Sequence, residues 1–235
     1  QEIAKANHPL IRIFDVKGHT IANGPQEQLS LPTSWQTCNP KSVTAFSAVG
    51  YYFGRDLQQQ SGVPIGLLGT NWGGTRVEPW TPPVGFRKQP ELAAVSKGID
   101  AQLINSPTGK GTWANYAKQA IQWSAAVQQA VADGRNAPSA PTSPGPKNHN
   151  EPCSIYNAMV HPIVGYGVRG AIWYQGESNS EEPEEYRELL PLMIGSWRNA
   201  WGDNFPFGIV QLAAYKAVSD NPVQGGWATL RDAQD

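Results

Sequence analysis

A layered α/β domain is the fold class that this sequence of 235 residues predicts. Three observations predict it. Short, continuous apolar runs recur along the chain and close on Gly, Asn or Gln. Stretches with helical spacing of their apolar residues lie between those runs. The two kinds alternate from end to end. Runs that are apolar on both faces suit the buried strands of a parallel sheet, so a central parallel sheet covered by helices is expected.

The elements follow in order. Ile11–Val16 (IRIFDV) alternates and is rich in β-branched residues, the pattern of a strand. In Ser42–Gln60 the apolar residues Val43, Phe46, Val49, Phe53 and Leu57 step by three or four, which predicts a helix. Gly62–Trp72 (GVPIGLLGTNW) reads as a buried strand. Residues 91–135 read as helical, with a stripe of Tyr116, Ala120, Trp123, Val127 and Ala130 in the part from Ala114 to Arg135. Residues 138–152 (PSAPTSPGPKNHNEP) are a loop by composition. Gly167–Gly176 (GVRGAIWYQG) and Pro206–Leu212 (PFGIVQL) are two more buried strands. Between them, Glu184–Trp201 is the clearest helix: Tyr186, Leu189, Leu190, Met193, Ile194, Trp197 and Trp201 share one face. Glu181, Glu182, Glu184 and Glu185 crowd its start, where the helix dipole favours negative charge. Pro183 suits its first turn and Gly202 its end. The expectation is one domain over residues 1–235, with a helical insertion at about 88–150 between core strands.

Composition narrows the function classes. Apolar residues make up 40% of the chain, charged residues 16%, and the net charge is −1. That balance gives no electrostatic basis for binding nucleic acid or an anionic membrane. No window holds the roughly 18 or more apolar residues that a membrane span needs. The first residues read like the inside of a domain, with no signal peptide. Cys38 and Cys153 either form one bridge, if the protein is exported, or remain free thiols. The four histidines lack metal-site spacing, so no metal centre is expected. Nine Trp, eight Tyr and six Phe can fill a core or make flat platforms for sugars.

In open parallel sheets, ligands bind beyond the carboxyl ends of the strands. Three of the expected strands end in unusual groups, the third of them with Gln211 nearby. After Gly69 comes NWGGTRVEPW, in which Gly73 and Gly74 allow close backbone approach and could present free N–H groups to an oxyanion. A plain turn is the other reading. Trp72, Arg76, Glu78 and Trp80 follow as candidate sugar-pocket residues, or else as an ion pair and packed rings. The other tip, YQGESN, offers Tyr174, the amides of Gln175 and Asn179, and the carboxylate of Glu177. That acid either orients an imidazole, as the third member of a triad, or caps the next helix. Ser178 is the obvious nucleophile by eye, with His161 as its base in that reading; a lone His beside an apolar stretch is more often packed or capping.

FSAVGYYFGRDL, PIGLLGTNWGGTRVEPWTP, IYNAMVHPIVGYGVRGAIWYQGESN, FPFGIVQLAAY and WATLRDAQ together resemble the sialate O-acetylesterase family of SGNH-type carbohydrate esterases. The likeness is ordered and covers most of the chain outside the insertion. It implies a flavodoxin-like, three-layer α/β/α sandwich and removal of acetyl groups from sugar hydroxyls by a serine-esterase route, without metal or cofactor. It further implies a nucleophile in a Gly-Gln-Ser-Asn block and a base in an Asp-x-His-Pro block, neither of which is among these residues. By position, Gly73 (or Gly74) and Gln175 would hold the oxyanion. Glu177 matches the acid that some related esterases use to orient the catalytic His, and Ser178 becomes structural. Trp72, Arg76, Glu78, Trp80, Tyr174 and Asn179 would face the acetylated glycan, sialate or xylan-type. Family habit implies a periplasmic or extracellular setting. The alternative reading is a non-catalytic carbohydrate-binding domain that keeps the esterase fold.

Overall fold

The computed structural model describes residues 2–215 and 225–235. It has mixed helices and strands, with the strands in two small sheets. After a short helix α1 (Glu2–Lys5), β1 (His8–Asp15) pairs antiparallel with β2 (Gln36–Cys38) and parallel with β3 (Ile65–Gly69). The second sheet holds β4 (Ala171–Trp173) and β5 (Phe207–Ile209), also parallel. All four expected strands are therefore present and pair parallel two by two. They do not form the single central sheet that was expected, because β3 and β4 are not hydrogen-bonded to each other.

β1 holds two cores together. Its residues Ile11 and Ile13 enter a small cluster with Cys38, Val43 and Tyr51. Phe14, and Val16 just beyond it, join the larger cluster. This is the two-sided burial that a strand's alternation provides.

The helices start and stop where local chemistry allows. The expected helix at Ser42–Gln60 is broken. α2 (Pro40–Val43) begins on an Asn39–Ser42 capping box, and α3 (Ala48–Ser61) begins afresh on Ser47, whose hydroxyl accepts the Gly50 N–H. Ser47 supplies an N-terminal cap inside what periodicity reads as a continuous helix. Phe53 and Leu57, expected in the core, are exposed on α3. Gly62, at φ 71°, ends α3 in the left-handed conformation.

α4 (Pro83–Arg87) precedes the stretch expected as an insertion, in which lie α5 (Ala93–Gln102) and α6 (Pro107–Ala132), a helix of 26 residues capped by Ser106 and started by Pro107. α7 (Pro183–Trp201) follows the sequence closely: Tyr186, Leu189, Leu190, Met193 and Trp197 are its buried stripe. Each such fully buried Leu or Met contributes about 1.5–3 kcal/mol. A last helix, α8 (Gly226–Asp232), packs on α7.

The tryptophans mostly build the larger core. Trp80, Trp173 and Trp197 meet edge to face, at 5.9 Å and 6.0 Å between centroids, and Trp201 stacks on Trp197 at 5.8 Å. Cys38 and Cys153 are both buried and unpaired, so the bridge considered above is absent.

Candidate active site

The two unusual tips meet. Gln175, just past β4, donates from Nε2 to the Thr75 carbonyl at 3.0 Å, across 100 residues of sequence. Asn179 accepts the Val77 N–H at 3.0 Å through Oδ1 and donates from Nδ2 to Glu78 Oε2 at 2.9 Å. Gln175 Nε2 also donates to Asn179 Oδ1 at 2.9 Å. Asn179 is fully buried and Gln175 nearly so. A buried network of this kind favours one arrangement, since each broken bond would strand a further buried group.

The far side of the second tip is stitched as well. The Gln175 carbonyl accepts from Gln234 Nε2 at 2.9 Å and from the Tyr186 hydroxyl at 3.3 Å. Burial pushes the Tyr186 phenol up, which keeps that donor protonated. Gln234 also accepts the Leu212 N–H at 3.0 Å and so links the ends of β4 and β5. Nothing in the sequence singled out Gln234: its role depends on where α8 docks.

The double-glycine bend is closed by the Thr75 hydroxyl, which donates to the Trp72 carbonyl at 2.8 Å. Gly74 sits at φ 76°, a conformation that costs a residue with a side chain about 1–2 kcal/mol. A Cβ at Gly73 or Gly74 would meet nothing within 4 Å, so the bend faces open space. Neither N–H has a hydrogen-bond partner among the described residues.

The other expected site residues divide sharply. Arg76 is bound by Glu78, at 2.7 Å, and by Glu182. Burial opposes its charge, yet the two carboxylates outweigh that and hold the guanidinium above its ordinary value. Trp80 is 3% exposed and gives its indole N–H to Thr75 Oγ1 at 2.9 Å. Trp72 is stacked on His19 at 4.7 Å and on His149 at 5.0 Å. Trp80 and Asn179 are therefore buried, in place of the sugar-facing surface expected of them, while Trp72, Arg76 and Glu78 are partly exposed. Both amide hydrogens of Gln175 are likewise taken up internally, by Thr75 and Asn179, leaving its buried Oε1 without a partner.

Two expected residues do face open space. Tyr174 is 50% exposed, and with Glu177 it lines a cavity of about 910 Å³. The rest of that wall was not foreseen: Tyr215 and Trp227 stand across it, their rings 4.9 Å apart. His161 lies on a different part of the molecule, with Nδ1 2.9 Å from the Gln26 carbonyl, and is not hydrogen-bonded to Ser178. Among the described residues no cluster of metal-ligating side chains occurs, and no helix is long and apolar enough to cross a membrane.

A glycine bend and an acid-bearing turn are thus locked together at two strand ends of a fold of mixed helices and strands. No family model matches the chain, but individual proteins do. The sialate O-acetylesterase of Mus musculus is 31% identical over 224 residues, covering 89% of this chain and 38% of that protein. The sialate O-acetylesterase of Rattus norvegicus is 29% identical over 192 residues, covering 77% of this chain and 32% of that protein. The crystal structure of a carbohydrate acetylesterase from Xanthomonas citri matches with a TM-score of 0.68 at 30% identity, over 100% of this chain and 41% of that one. The chain belongs to the sialate O-acetylesterase family, and it spans about a third of the length of the relatives it matches.

Proposed function

We propose that this chain forms the oxyanion wall and much of the sugar-facing wall of a carbohydrate O-acetylesterase. The observation that carries the reading is the direct joining of the Gly73–Gly74 bend to the Gln175–Asn179 turn. In this reaction a serine hydroxyl adds to the acetyl carbonyl and passes its proton to a histidine. The Gly73 and Gly74 N–H groups receive the oxyanion; losing one such donor costs about 2.7–4 kcal/mol of barrier. The sugar oxygen leaves with the proton from the imidazolium, and water then releases acetate from the acyl-enzyme. Glu177, unpaired among the described residues and open to the cavity, orients the histidine. Gln175 serves by holding the bend in place.

The serine and the histidine come from polypeptide outside these 235 residues. Two facts support this. The chain matches only 32–38% of its relatives' length. In addition, β3 stands at the end of its sheet and β4 has an unpaired edge, so one further strand between them would complete a single parallel sheet and a three-layer sandwich. A strand in that position would bring its own tip beside the bend. The substrate is an acetylated glycan, met in the periplasm or outside the cell.

The test compares 4-nitrophenyl acetate hydrolysis by the 235-residue chain and by the polypeptide extended in frame on both sides. The extended protein is expected to turn over and the chain alone to be silent. Turnover by the chain alone at the extended protein's rate, abolished by Ser178→Ala, would overturn the reading. An extended protein that binds glycan without releasing acetate is the carbohydrate-binding alternative.

A further inference from the structure

The double-glycine bend is gripped on both flanks by one short turn in the stretch that follows α6. His149 stacks its imidazole on Trp72, the residue before the glycines, at 5.0 Å between ring centroids. Asn150, the next residue along, accepts the N–H of Arg76, beyond the glycines, at 3.0 Å. The turn that carries this pair is itself braced. Asn148 Oδ1 accepts the Asn150 N–H at 2.8 Å, and Glu151 Oε1 accepts the Lys147 N–H at 3.1 Å. The other Glu151 oxygen accepts from Gln102 Nε2, at the end of α5, at 2.8 Å. Further on, the Cys153 N–H donates to the Glu78 carbonyl at 3.1 Å. The glycines have no such hold of their own: a Cβ at Gly73 or Gly74 would meet nothing within 4 Å among the described residues. Their N–H groups are therefore aimed by their flanks.

We propose that His149 and Asn150 are positioning residues for the oxyanion, which hold the Gly73 and Gly74 N–H groups where the transition state needs them. The inference rests on the esterase reading for what the bend does, and not for how the bend is held. Oxyanion donors act at about 2.7–3.1 Å from the developing charge. A misplacement of about 1 Å costs roughly 10²-fold in rate. These donors bond most strongly in the transition state, so a loosened bend lowers kcat and leaves KM nearly unchanged. His19, which stacks on Trp72 at 4.7 Å, shares the hold on that ring, so the loss of one contact is partly compensated.

The experiment uses the polypeptide extended in frame on both sides, labelled with ¹⁵N-glycine and assayed with 4-nitrophenyl acetate. The double variant His149→Ala, Asn150→Ala is expected to lower kcat about 10–100-fold, with KM within about threefold of the parent. Its Gly73 and Gly74 amide resonances are expected to move or broaden. The two single variants carry the same readouts at smaller size. His149→Phe keeps a ring on Trp72 and Asn150→Asp keeps the acceptor, so each is expected to stay nearer the parental resonances than the matching alanine variant. Ile11→Val, in the small core, controls for general loosening and is expected to change neither readout. Unmoved glycine resonances in the double variant, resonances moved as far by Ile11→Val, an unchanged kcat, or a loss carried in KM alone would each overturn the proposal. An extended protein without turnover counts against the esterase reading, and the resonances then decide this one by themselves.

Discussion

Asn179 accepts the backbone N–H of Val77 across 102 residues of sequence, and the bond is fully buried. The same side-chain oxygen takes a hydrogen from Gln175, and the amide nitrogen gives one to Glu78. One side chain thus ties the acid-bearing turn to the segment that follows the glycine bend.

Asn179→Ala removes all three bonds and leaves the Val77 N–H buried without a partner. A loss of about 2–4 kcal/mol in unfolding free energy is expected from urea titration, since each stranded group costs about 1–3 kcal/mol. Asn179→Asp keeps the acceptor but sets a second carboxylate against Glu78. It too is expected to destabilise, and its deficit is expected to shrink as the pH is lowered.

Gly74→Ala forces a side chain into the left-handed conformation at φ 76°. A cost of about 1–2 kcal/mol in stability is expected, with no steric clash to add to it. Gly73→Ala meets no neighbour and is not held at positive φ, so its stability is expected to stay within about 0.5 kcal/mol of the parent. Thermal melts of the pair separate backbone strain from crowding.

Gly226 starts α8 against the Ser180 carbonyl, and a Cβ there would run into that oxygen. Gly226→Ala is expected to cost about 1–3 kcal/mol and to shift the emission of the neighbouring Trp227. Gly98→Ala in α5, where a Cβ meets nothing, is the control. It is expected to be neutral or to stabilise by about 0.5–1 kcal/mol.

Burial pushes the Tyr156 phenol up to about 12, from an ordinary value of 10.0. The folded state therefore keeps this proton longer than the unfolded state does. The associated stability is fully present below pH about 10 and is lost as the pH rises towards 12. Urea unfolding between pH 8 and 12 should show the decline, and Tyr156→Phe should reduce it. Burial likewise raises the Cys38 and Cys153 thiols. Both are expected to resist Ellman's reagent in the native protein and to react in urea.

The sequence was most legible where one local pattern decides the outcome. The α7 stripe, its Pro183 start and its Gly202 stop are all present as read. So are the four strand positions, but not their expected burial: β3 and β5 hold no fully buried residue and β4 only Trp173, since their partner surfaces are incomplete in two small sheets. The break before α3 was hidden, because Ser47 caps a helix inside a stretch whose spacing stays helical. Most of the aromatic assignments depended on distant partners. Trp80 and Trp227 look alike in sequence, yet one lies against Trp173 in the core and the other lines the cavity. His19 and His149 gave no signal because stacking on Trp72 joins three separate loops. Arg76 read either as a pocket residue or as half of an ion pair, and its second carboxylate, Glu182, gave no signal because it lies on a remote segment.

α6 extends for 26 residues, or about 39 Å at 1.5 Å per residue. It is tied back along its length, by the Trp113 indole to the Gln102 carbonyl and by the Trp123 indole to the Pro138 carbonyl, both at 2.8 Å. The stretch after it returns to Asn150, whose side chain accepts the Arg76 N–H at 3.0 Å. A change at that mooring is therefore transmitted straight to the glycine bend.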